Sequence, residues 1–190
     1  MQGPSREGRR STTRFALWLT LAHVVAATLI VLVLTQFAPF MVGVVPLRWL
    51  LGVLVAAGVV GIVVDLRAVR ARWLSIGLGR QTPKSLQFLG EHAWITPLVW
   101  GFDTGLIWTT YRVSFCSWLL LLMAVTGFAG PGAGAAYGMV FSIGLLAEML
   151  LDRPVLPRWL PSSAIPAQLL GVGSMAVLVV VATMAFVGYA

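Results

Sequence analysis

The chain predicts an all-α fold, a polytopic transmembrane helical bundle of five helices with the N-terminus inside and the C-terminus outside. Three observations predict it. Of 190 residues, 59% are hydrophobic and 10% are charged, against roughly 25% charged in globular domains. A chain this small cannot bury that much apolar side chain, so a bilayer must solvate it. Its apolar residues fall in runs long enough to cross roughly 30 Å of hydrocarbon as helix. Most basic residues lie in segments 1–14, 67–92 and 153–158, whereas connections 36–46 and 126–135 are uncharged. Alternating connections then fall on opposite sides, basic ones in the cytoplasm.

Residues 1–14, MQGPSREGRRSTTR, read as a disordered basic cytoplasmic tail, and 15–190 as a single transmembrane domain. Arg9-Arg10 are followed by STTR, which does not fit a twin-arginine signal. The apolar run Phe15–Phe40 is too long for a signal-peptide core and lacks a cleavage site, so it reads as a retained helix over about 15–35. His23 within it either hydrogen-bonds a neighbouring helix or carries a proton or ligand. Pro39 and Pro46 mark the turn that follows. The second helix, about 49–66, carries Ala56, Ala57, Gly58 and Gly61 as a small-residue packing face.

Residues 67–100 read as an interfacial loop. Arg67, Arg70, Arg72, Arg80 and Lys84 alternate with Trp73, Leu74, Ile76 and Leu78, the pattern of a segment lying among headgroups. Helices are expected at about 101–125, 136–151 and 164–187. The turn between the first two is TGFAGPGAGA; the connection after the second carries Arg153, Arg158 and three prolines.

The stretch Trp94–Val125 needs the most explanation. Its 32 residues would make a straight helix of about 48 Å, too long for one crossing. Pro97, Gly101 and Gly105 are the expected places for it to bend or unwind, as discontinuous transporter helices do. On a continuous helix, Asp103, Thr110 and Ser114 share one face, while Thr109, Arg112 and Cys116 share the opposite one. A helix polar on both sides belongs inside the bundle. An unpaired Arg112 near mid-bilayer would cost on the order of 3 kcal/mol, so it needs carbonyls, a carboxylate or an anionic ligand as partner.

From Gly101 onward, GFDTGLIWTTYRVSFCSW, LLLLMAVTGFAG and GAGAAYGMVFSIGLLAEMLL follow one another. Residues 101–152 thereby resemble the second half of the transmembrane domain of the CcdA/DsbD thiol-electron carriers. The resemblance implies a polytopic membrane scaffold. It does not carry over the thiol relay, which uses a cysteine pair next to prolines; here Cys116 is the single cysteine and no proline precedes it.

One cysteine excludes an internal disulfide, and Cys116 reads as a packed thiol. His23 and His92 are too far apart to suggest a metal site, and no phosphate loop, nucleotide fingerprint or nucleic-acid module is present. No cofactor and no nucleic-acid partner is therefore expected. The expected function is that of an integral protein of the bacterial cytoplasmic membrane, a small-solute transporter or accessory component. Its ligand-binding pocket is expected around Asp103, Thr109, Thr110, Arg112 and Ser114. Its partners would be the bilayer and a second copy or larger membrane complex. Two alternatives stay open. One is a membrane-embedded enzyme using Asp103 or Glu148 as the acid on a lipid- or isoprenoid-like substrate. The other is a structural subunit of a larger assembly.

Overall fold

The structure, a computed structural model, describes residues 6–71, 94–107, 114–150 and 164–188. Every regular element among them is a helix: α1 Arg6–Thr35, α2 Ala38–Val44, α3 Leu47–Ala71, α4 Ile95–Gly105, α5 Cys116–Val125, α6 Pro131–Leu150 and α7 Ala164–Gly188. Among the described residues three stretches are long and apolar enough to cross a membrane: Thr13–Val44, which joins α1 to α2, Leu47–Ala71 and Gln168–Gly188.

Several boundaries differ from expectation for local reasons. α1 starts at Arg6, because REGRRSTTR holds no proline and extends an existing helix, where nucleation is already done. The 36–48 turn contains α2, with Pro39 in its first turn, where its missing N–H is harmless. Val45 is extended (φ −107°, ψ 123°) because Pro46 follows it, and α2 stops there. α3 runs on past Leu66 to Ala71. α6 opens at Pro131 inside the expected glycine-rich turn, again using proline at a helix start.

The largest difference lies in the central stretch. The helix expected over 101–125 is two helices. α4 ends at Gly105, Leu106 is extended, and α5 begins at Cys116. With 11 and 10 residues, the two are about 16 and 15 Å long. Pro97 causes no kink, since it lies in the first turn of α4. Asp103 on α4 and Ser114 ahead of α5 therefore do not lie on one continuous helix.

α1 is gripped on two sides, by α4 and by α6. Each of these helices brings two glycines four residues apart. A Cβ on Gly101 would lie 2.6 Å from the Leu19 carbonyl, and one on Gly105 2.8 Å from His23 Cα. On α6, Gly134 and Gly138 approach the Ala27 and His23 carbonyls to 2.6 and 2.7 Å in the same sense. Only a missing side chain permits such backbone contact. The pairing order makes α4 parallel and α6 antiparallel to α1. α3 pairs antiparallel with α7, Gly58 against Val179 and Gly61 against Met175.

α5 sits between the two groups and touches α1, α3 and α7. Its Leu121 and Ala124 join Ala27, Ile30, Val31 and Ile107 in one buried cluster, and Leu119 joins Leu54 and Met175 in another. It ends in a Schellman motif. Gly127 takes φ 82°, Phe128 N–H reaches the Met123 carbonyl at 2.8 Å, and Gly127 N–H reaches that of Ala124 at 3.2 Å.

Candidate functional site

The break between α4 and α5 is flanked by two buried polar junctions. At its far end, Asp65 of α3 is fully buried. Ser114 Oγ donates to its Oδ2 at 2.5 Å, and Phe115 N–H donates to both carboxylate oxygens at 2.9 and 3.0 Å. Ser114 Oγ also accepts from Cys116 N–H at 3.1 Å, and Ser117 Oγ donates to the Ser114 carbonyl. The opening amides of a helix have no partner in their own helix. Here a carboxylate from another helix serves one of them and a serine it holds serves the next. The negative charge also meets the positive end of the α5 dipole.

Two glycines make room for this arrangement. A Cβ on Gly171 of α7 would collide with the Ser114 side chain and stand 3.7 Å from Asp65 Oδ2. One on Gly61 of α3 would lie 2.5 Å from the Phe115 ring. Gln168, three residues before Gly171 on the same face of α7, is also fully buried. Asp65 of α3 thus holds the start of α5 at a point where Gly171 lets α7 pass close by.

At the near end, His23 of α1 is fully buried. Its Nδ1 lies 2.8 Å from the Leu19 carbonyl and its Nε2 lies 2.7 Å from Thr104 Oγ1 of α4. A carbonyl can only accept, so Nδ1 carries a proton. Thr104 Oγ1 also stands 2.8 Å from the Trp100 carbonyl. Thr104 Oγ1 therefore stands between the imidazole of α1 and the Trp100 carbonyl of its own helix, and ties α1 to α4. On the α6 side, Phe141 lies 5.4 Å from the imidazole, ring to ring, and Thr20 and Ser142 share a hydrogen bond of 2.7 Å.

Of the residues expected to form a pocket, Ser114 belongs to the Asp65 junction, at the start of α5. Asp103 stays on α4, half-buried and one residue before Thr104, so the two do not share the helix face drawn for them. Thr109, Thr110 and Arg112 lie outside the described residues, and Glu148 lies on α6 with its side chain outside them. Cys116 packs beside Leu54, Leu119 and Met175, as a small apolar group would. Among the described residues no His, Cys, Asp and Glu cluster fits a metal ion.

Asp65 lies well outside the polar stretch 94–125 that the sequence brings forward. The signal was present: GIVVDLR places a carboxylate in an apolar run, and an ionisable residue within a span marks a site by default. His23 shows the interhelical hydrogen bond expected of it. Comparison with known protein families, curated proteins and solved structures finds no match to the chain.

Proposed function

We propose that the chain is an integral protein of a bacterial cytoplasmic membrane that moves a small polar solute past the break between α4 and α5. In this reading α1, α3, α4 with α5, α6 and α7 make five crossings. The N-terminus is inside, because the basic segments 1–14, 67–92 and 153–158 then share the cytoplasmic side. The observation that supports the reading is a pair of short helices, α4 and α5, in place of one long helix, with a buried polar group near the end of α4 and another at the start of α5. Unwound backbone inside a membrane is tolerated where protein or a water-lined cavity surrounds it. Transporters place substrate sites at such interruptions. Five crossings enclose little volume, so a second copy would complete the path.

The test needs no knowledge of the solute. In a Cys116→Ser background, single cysteines at positions 106–113 are exposed to a membrane-impermeant thiol reagent in sealed proteoliposomes. Several positions should react, and Arg112→Ala or Asp103→Asn should change the pattern. Complete protection along the segment in a folded protein would sink the transport reading.

A further inference from the structure

Residues 13–18 of α1 and the residue before α4 border a cleft of about 470 Å³, lined by Thr13, Arg14, Leu17, Trp18 and Trp94. That size falls in the range of roughly 300–1,000 Å³ typical of ligand sites. The α1 residues are spaced i, i+1, i+4 and i+5 and so share one face. Trp18 and Trp94 pack against each other in the wall of the cleft, with ring centroids 6.2 Å apart and planes tilted by 48°. Leu17 is 59% exposed. Arg14 is also exposed, and among the described residues it has no carboxylate partner.

We infer that this cleft binds one anionic phospholipid, its phosphate on Arg14 and Thr13 and an acyl chain along Leu17, Trp18 and Trp94. The inference rests on the membrane reading. Arg14 is the last charged residue before the apolar run that begins at Phe15, which sets Arg14 at the depth of the headgroups and the next turn at the depth of the first methylenes. Guanidinium matches phosphate in shape and charge, and indole rings favour that same interface. A free phosphate would leave Leu17 and both rings unused, and a zwitterionic headgroup would set its own cation against Arg14. The unpaired cation and the apolar wall select a lipid that carries net negative charge.

Native mass spectrometry of the detergent-purified full chain, titrated with phosphatidylglycerol and with phosphatidylcholine, tests this. Phosphatidylglycerol should be retained preferentially. Arg14→Gln should weaken that retention about fivefold, the worth of one basic residue at an anionic surface, with phosphatidylcholine adducts unchanged. Arg14→Lys should keep part of the preference. Trp94→Ala should weaken retention of phosphatidylglycerol while its signal for intact folded protein stays. Arg48→Gln, which removes the exposed basic residue at the start of α3, should change nothing. Equal loss in Arg14→Gln and Arg48→Gln would reduce the effect to overall charge and overturn the site, as would equal retention of both lipids by the unaltered chain. A chain absent from the membrane fraction would instead overturn the membrane reading beneath it.

Discussion

His23 and Asp65 are both fully buried polar side chains where helices meet, yet they hold their neighbours in different ways. His23 lies in the middle of α1, whose backbone is already satisfied. Its bond to Thr104 adds to a contact that two glycines of α4 have made close. Asp65 supplies what a helix lacks. α5 begins within the bundle, and without that carboxylate its first amide and Ser114 would face protein or lipid with no acceptor. One junction decorates a packing contact; the other makes a helix start feasible.

The most severe way to test that contrast is Asp65→Ala. It strands a hydroxyl and an amide in low dielectric, and should cost about 3 kcal/mol or more. Cys116, in the first turn of α5, should then become more reactive to thiol reagents. An unchanged unfolding midpoint in detergent, with Cys116 still protected, would remove the distinction between the junctions. Gly105→Ala comes next. Its new methyl meets the backbone of His23, which cannot rotate away, and the expected loss is about 2 kcal/mol. Gly173→Ala, with nothing within 4 Å, is the matched control and should be neutral or slightly stabilising.

Thr104→Val should cost about 1–2 kcal/mol by leaving His23 Nε2 without that hydroxyl, and Thr104→Ser should recover most of it. If Thr104→Val proved more damaging than Asp65→Ala, the ranking of the two junctions would be reversed. The smallest effect belongs to Ser142→Ala, about 0.6 kcal/mol, the average for an interhelical hydrogen bond in a membrane protein. Thermal unfolding of the purified protein would separate it from the larger losses.

The helical class and the three long apolar stretches were legible in the sequence, because hydropathy and length depend only on neighbouring residues. The excess length of 94–125 was legible too. Of its expected bends, Gly105 is where α4 ends, whereas Gly101 lies inside α4; both are pressed against α1. Their four-residue spacing, repeated at Gly134 and Gly138, was the better signal. The wheel failed because it assumed a continuous helix through 106–115. Asp65 was passed over because its meaning depends on Ser114, 49 residues away, and no local pattern joins the two.

The carboxylate cap also fixes an order of events during synthesis. Asp65 leaves the ribosome 49 residues before the serine it holds, so α3 can wait as a template when α5 appears. Gly171, which closes over Ser114, arrives only with the last helix. Until then the start of α5 has its acceptor but not its roof. A chain stopped before Ala164 should therefore reach the membrane and yet be cleared rapidly by proteases, a difference measurable by pulse-chase. The C-terminal helix is in this sense the latch of the protein's assembly, and a break in the middle of the bundle is finished from its end.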